Sequence, residues 1–211
     1  MKNTPILQIP LLTLILVLVA TTASLALDNG QAMAGTPHAS PAATNLIKNA
    51  SFETPLVPVG GYTLFALGKK FVDWTVGTPG NVGIASGSYR YGVFTWPAQS
   101  GKQWLDLTGV SNTPTGIAQT ATTTPGHTYT LSFYVGNIYD PRGDWGMSST
   151  VNVRVNGKQV LKATNSTGKG LNKQVWQKFT TKITATSTII SFINGDPRTD
   201  NSCGLDAITL N

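Results

Sequence analysis

Acid–base, nucleophilic or metal chemistry needs particular side chains at workable spacings, and this chain holds few of them. Glu53, in the stretch Asn-Ala-Ser-Phe-Glu-Thr-Pro (49–55), is the sole glutamate, beside eight aspartates. Glycoside cleavage requires two carboxyl groups whose pKa values are pushed apart. Any such pair would have to include an aspartate. Asp140 and Asp144 share one loop, while Asp73 and Asp106 stand alone in the sequence. His38 lies in a Pro- and Ala-containing segment, and His127 follows a Pro-Gly pair, where a surface position is expected. No G-x-S-x-G, H-E-x-x-H or paired Cys/His spacing occurs. On these grounds no catalytic residue is expected and the chain reads as a non-enzyme.

The aromatic residues are more suggestive. The stretch "GNIYDPRGDWGM" (136–147) combines Tyr139, Arg142, Asp144 and Trp145. The stretch "SGSYRYGVFTWPAQSG" (86–101) concentrates Tyr89, Tyr91, Phe94 and Trp96. Sugar sites stack rings on apolar C–H faces and bond hydroxyls with a few polar groups. Tyr91, Trp96, Tyr139, Arg142, Asp144 and Trp145 are therefore the expected ligand-binding residues, with Tyr91 and Trp96 exposed for stacking. The competing reading folds Trp145 over the edge of the domain and uses part of the 86–101 cluster as core.

These loops must be held by a scaffold, and the periodicity says which. Apolar residues alternate with polar ones, the two-residue period of strands. "TYTLSFYV" (128–135) places Tyr129, Leu131, Phe133 and Val135 on one face; "STVNVRVNG" (149–157) does the same with Val151, Val153 and Val155. "QWLDLTG" (103–109) buries Leu105 and Leu107 and turns Trp104 and Asp106 outward. "GIAQTA", "VWQKFTTKI", "STIISFING", "LDAITL", "NLIK", "GYTLF", "DWTVG" and "VGIAS" are further strand candidates. Asn156-Gly157 between apolar runs is a strong hairpin signal, and Pro125-Gly126 marks a type II turn. About ten short strands predict an all-β fold, an antiparallel β-sandwich or jelly roll, over residues 45–211.

The N-terminus differs. Met1-Lys2-Asn3 precedes an apolar run, Ile6–Ala20, then small residues with cleavage-like sites ending at Ala26 or Ala34. That layout predicts a signal peptide over 1–26, with cleavage as late as 34, a flexible linker over 27–44 and a secreted protein. The chain then ends at Asn211 without an anchor, so release is expected, with no stable membrane insertion. Its net charge of +6 is scattered rather than gathered in a stripe, which argues against nucleic acid. Cys203 is the sole cysteine, so no internal disulfide forms. A monomer is expected.

Taken in order, "NLIKNASFE", "DWTV", "SGKQWLDLTG", "IAQTATTTPGHTYTLSFYVGN", "VWQKFTTKITATSTIISF" and "CGLDAITL" resemble the galactose-binding-like jelly-roll superfamily. Within it they look most similar to the family containing bacterial choice-of-anchor C proteins and plant cell-wall proteins of unknown function. The resemblance implies non-catalytic binding of a polysaccharide or cell-surface glycan, by analogy with carbohydrate-binding modules. It also implies a structural calcium. Phe52-Glu53 after the first strand and Asp206 in the last match positions that share the ion in such modules, with the Ser51 carbonyl as a further ligand. Calcium takes about 6–8 oxygen ligands, so two carboxylates and turn carbonyls suit it. The alternative is an ion pair of Glu53 with Lys48. The leading expectation is thus a secreted carbohydrate-binding domain with structural calcium. The alternatives are an adhesive matrix protein that binds another protein and, more weakly, a polysaccharide-acting enzyme.

Overall fold

The computed structural model describes residues 44–77, 79–141, 145–196 and 202–211. The chain divides into two units, Met1–Pro41 and Ala42–Asn211, and everything described belongs to the second. The expected signal peptide and nearly all of the linker lie outside the described residues. No helix among the described residues is long and apolar enough to cross a membrane.

Among the described residues, fourteen strands make the fold: β1 (Tyr62–Ala66), β2 (Lys70–Phe71), β3 (Trp74–Val76), β4 (Asn81–Ser86), β5 (Arg90–Tyr91), β6 (Phe94–Thr95), β7 (Gln103–Asp106), β8 (Gly116–Ala121), β9 (Thr128–Asn137), β10 (Ser149–Val155), β11 (Lys158–Asn165), β12 (Val175–Thr184), β13 (Thr188–Asn194) and β14 (Gly204–Leu210). One six-stranded sheet runs β1-β4-β7-β14-β9-β12, the other β11-β10-β13-β8-β3-β2; β5 and β6 form a separate hairpin. All strand pairs are antiparallel. This is the expected jelly-roll sandwich.

The inner faces carry the residues that alternation selects. Leu131, Phe133 and Val135 of β9 and Val151 and Val153 of β10 are fully buried. Phe133 meets Phe192 of β13 edge-on at 5.2 Å. Each such side chain contributes roughly 1.5–3 kcal/mol of burial. The Asn156-Gly157 turn closes the β10–β11 hairpin with Val155 opposite Lys158. Both turn residues have positive φ, 50° and 82°, as a two-residue turn that follows the strand twist demands.

Two expectations change. "NLIK" (45–48) is not a strand. Asn45 instead fastens this segment to β14: its side chain accepts from Leu210 N at 2.9 Å and donates to Ile208 O at 2.8 Å. One backbone bond, Leu46 N to Leu210 O at 3.0 Å, and the Gln119 amide, which bonds both Lys48 N and Lys48 O, complete the attachment. Second, Trp104 and Asp106 do point away from the inner core, but they are 2% and 7% exposed. A second layer covers them.

Candidate active site

The covering layer comes from β5, β6 and the loops beside them. Phe94, Trp96, Trp104, Ile138, Trp145 and Ala85 form a second apolar cluster on the outer face of the first sheet. The register explains why there is room for it. Gly83 of β4 and Gly204 of β14 flank Asp106 of β7, and Gly136 of β9 faces Gly204. Three glycines in one row leave a strip of bare backbone beside the carboxylate. A Cβ at Gly83 would collide with the Tyr62 ring, and one at Gly204 would stand 2.8 Å from Gln174 Oε1 and 2.9 Å from the Trp176 ring. The side chains of Tyr62 and Trp176 lie across this strip.

Aromatic packing builds walls above it. Tyr89 meets Trp96 at 5.4 Å and 62°, Trp96 meets Trp145 at 5.2 Å and 78°, and Tyr91 meets Trp145 at 6.1 Å and 85°. Near-perpendicular rings are the arrangement aromatic quadrupoles favour. Trp96 is further fixed by Nε1 donating to Ser202 Oγ at 2.9 Å. The half-open cavity measures about 560 Å³, within the roughly 300–1,000 Å³ range of small-molecule sites. Its described lining is Tyr62, Tyr89, Tyr91, Trp96, Trp104, Asp106, Gly109, Val110, Trp145 and Ser202. Asp106 is the one carboxylate among them. Thr108 donates to its Oδ1 from both N (2.9 Å) and Oγ1 (2.6 Å), and Tyr62 OH donates to Oδ2 at 3.0 Å. The carboxylate is thereby set in one orientation. Cys203, next to Ser202, is buried. Burial, then the charges of Asp196 and Asp106, push its thiol pKa up, so it is not a nucleophile.

Of the expected ligand-binding residues, Tyr91, Trp96 and Trp145 meet in this cavity. The expected exposure of Trp96 is corrected: it is 3% exposed, because rings on both sides and Ser202 enclose it, whereas Tyr91 is 60% exposed. Tyr139 is half-buried and outside the described lining. Arg142 and Asp144 lie outside the described residues. Sequence reading passed over Tyr62, Trp104 and Asp106. Trp104 and Asp106 two residues apart on one strand face, an aromatic beside a carboxylate, were the signal available.

Glu53 and Asp206 meet at a different place. Asp206 Oδ2 accepts from Gln99 N (2.8 Å) and Ser100 N (2.9 Å); Glu53 Oε1 accepts from Lys102 N and Gln103 N, both at 2.9 Å. The two carboxylates thus clasp one loop, 99–103. A bulge in β14 aims Asp206 there: the register shifts after Asp206 and Ala207 takes φ 50°. Gln103 holds the other side by donating to Phe52 O (2.6 Å) and Pro55 O (3.0 Å). Burial first, and Glu53's charge after it, raise the Asp206 pKa to about 7, although backbone donors from Ser100, Ala207 and Gln99 pull it down. Paired hard oxygens that repel each other in a buried place suit a divalent cation. The described residues contain no group of three or more His, Cys, Asp or Glu at one site, so remaining ligands would be backbone or amide oxygens. Ser51 is half-buried, with no described bond tying it to the pair. The bonds described for Glu53 run to the backbone amides of Lys102 and Gln103, not to the Lys48 ammonium.

Comparison with known proteins follows this geometry. Residues 43–197 match the model of the HpiC1-like family, described as HpiC1 cyclase. The crystal structure of a cyclase from Fischerella sp. TAU is similar in fold, with a TM-score of 0.57, 18% identity, and coverage of 78% of this chain and 94% of that one. A family 35 carbohydrate-binding module from Paenibacillus barcinonensis aligns at a TM-score of 0.40 and 13% identity, over 71% of this chain and 98% of that one. A further module of that family, from an environmental isolate, aligns at 0.35 and 18%, over 46% and 64%. No curated protein matches the chain significantly. The jelly-roll expectation therefore stands, but the family expected from the sequence phrases is not the one whose model matches. The expectation of a non-enzyme is corrected by the same finding. It rested on seeking a second carboxylate, which ring closure does not require. With 155 of 211 residues matched, the chain belongs to the HpiC1-like cyclase family.

Proposed function

We propose that this chain is a cyclase that folds an apolar substrate inside the aromatic cavity on the outer face of the first sheet. Asp106 exchanges a proton with the bound substrate there. The observation that carries this reading is an oriented, nearly buried carboxylate, the one among the described lining residues, walled by six aromatic rings. Ring closure asks three things of a protein: a compact substrate conformation, stabilisation of developing positive charge, and a group to give or take a proton. The ring walls supply the first, holding reacting atoms in near contact. Ring faces supply the second through their negative quadrupole. Asp106 supplies the third, and Tyr62 and Thr108 keep its oxygens on target. A positioned acid or base contributes about 10²–10⁴-fold in rate.

Two features complete the proposal. The Glu53–Asp206 pair holds a structural calcium that pins loop 99–103, outside the cavity. The N-terminal leader sends the protein out of the cytoplasm. A second reading keeps a sugar as the ligand, because Asp106 and the tyrosine hydroxyls can bond hydroxyls beside ring faces; a glycan array tests it. The test of the cyclase reading is incubation with a panel of acyclic substrates that tether an alkene or aromatic ring to a protonatable group. A cyclised isomer of unchanged mass, absent with Asp106→Asn, is the expected result. Equal product from the variant removes Asp106 from the chemistry.

A further inference from the structure

The mouth of the cavity differs from its floor. Trp96 and Trp104 are buried, but residues around the opening are not. Tyr91 and Val110, both in the lining, are 60% and 71% exposed. Val93, in the turn of the β5–β6 hairpin, is 70% exposed, and Met147, two residues past Trp145, is 65% exposed. The Tyr91 and Trp145 rings meet at 6.1 Å, which draws these two segments together. Single exposed apolar residues are ordinary; four around one opening mark a contact surface. Cations border it. Arg90 pairs with Thr95 across the hairpin, and Lys173 bridges Thr95 from the loop before β12. Trp176 of β12 meets Trp104 at 6.2 Å on the outer face, so alternation along β12 turns Lys178 and Lys182 to that face too. All four cations are exposed.

Acids do not balance them. From Trp145 to Gly195 the sequence holds seven lysines and arginines and no acid. Among the described residues the one fully exposed acid is Asp73, between β2 and β3 of the other sheet. Residues 142–144 and 197–201, outside the described ones, each hold one arginine and one aspartate, so their net charge is zero. Apolar side chains inside a cationic border suit few partners. A second copy of the chain would set like charges against each other. A polysaccharide or nucleic acid would meet the charges but leave Val93 and Met147 against polar groups. An anionic lipid surface answers both, with headgroup charge for the cations and hydrocarbon beneath for the apolar side chains. Building on the reading of this cavity as the site of an apolar substrate, we propose that its mouth rests reversibly on an anionic lipid bilayer. Val93 and Met147 dip into the surface, and the substrate passes from lipid to the rings without crossing water.

A polarity-sensitive dye on the full chain tests this locally. Cys203 is buried, so a thiol-reactive dye goes to an introduced cysteine, Val93→Cys at the mouth or Thr120→Cys on β8 of the other sheet, where Thr120 is exposed. With vesicles of phosphatidylcholine carrying phosphatidylserine, the dye at 93 should brighten and shift to the blue, and the dye at 120 should not. Arg90→Gln together with Lys173→Gln should raise the lipid concentration for half the response about 25-fold, at roughly fivefold per charge. No response at 93 overturns the proposal. So does an equal response at both positions, or an equal response to phosphatidylcholine alone. A response that needs no vesicles and grows with protein concentration overturns it in favour of a second copy on this surface. None of these readings uses a substrate. A chain that cyclises its substrate while the dye at 93 stays in water keeps the site and loses the bilayer.

Discussion

The molecule has two apolar clusters, one on each face of the first sheet, and they differ in kind. The inner one, between the sheets, is built mainly of valine, isoleucine and leucine, with Phe52, Phe71, Trp74, Phe133 and Phe192. The outer one is tryptophan, phenylalanine and tyrosine around a cavity. Aliphatic side chains from two pleated faces interdigitate to crystal-like density and leave no hole. Flat rings at steep angles leave a box. The outer rings also carry polar handles, such as Trp96 Nε1 on Ser202 and Tyr62 OH on Asp106. The inner cluster makes the protein fold; the outer one spends its burial on a shaped space with a charge in it.

That contrast can be broken from either side. The largest effect on stability should come from the inner cluster. Phe133→Ala leaves a cavity between the sheets and should cost about 3–5 kcal/mol in urea unfolding. If the outer Trp145→Ala costs as much, the division of labour fails.

A smaller effect, of a few kcal/mol, should follow pH through Asp206. Its folded pKa of about 7 lies above the ordinary 3.8. Between those values the folded state keeps a proton that the unfolded chain has lost. The stabilisation is complete below about pH 4 and is lost as pH rises towards 7, at up to about 1.4 kcal/mol per pH unit. Thermal midpoints in chelator should therefore fall over that window. In calcium the carboxylate is held ionised and the fall should vanish, as it should in Asp206→Asn. Identical pH profiles in chelator and calcium would remove the metal from this pair.

The smallest effect is expected for Tyr62→Phe. It deletes one hydrogen bond to Asp106, worth about 1 kcal/mol, and leaves the ring over Gly83. Turnover should fall about fivefold with little change in thermal midpoint. A loss as large as removing the carboxylate would mean that Tyr62 itself takes part in proton transfer.

The sequence made the sandwich legible because alternation reports which side of a strand an apolar residue takes. Val151, Val153 and the Asn156-Gly157 hairpin needed no further information. "NLIK" misled because two apolar residues between polar ones also suit an irregular segment held by Asn45, Gln119 and a single backbone bond from Leu46. Trp104 and Asp106 misled for a deeper reason. Period two says that they face away from the inner core, and away from the core normally means solvent. Nothing local to "QWLDLTG" says that Tyr89, Phe94, Trp96, Ile138 and Trp145 return to cover that face. Tyr91, Trp96 and Trp145 share one cavity, and the aromatic density of their loops was the signal that grouped them. The carboxylate they surround had only Trp104 beside it as a local signal, since the bare strip it stands in is made by glycines at 83, 136 and 204 on other strands. Glu53 was singled out by rarity, and its convergence with Asp206 on loop 99–103 follows from two long-range contacts that the resemblance, not the periodicity, pointed to.

The central claim is that chemistry belongs to the carboxylate in the aromatic box and not to the one in the loop clasp. The most direct measurement is the ring-closing rate of Asp106→Asn and Asp206→Asn side by side, each verified as folded. The account predicts a loss of about 10²–10⁴-fold for Asp106→Asn and a rate within a few-fold of wild type for Asp206→Asn. The reverse order, with Asp106→Asn active and folded Asp206→Asn inert, would contradict it.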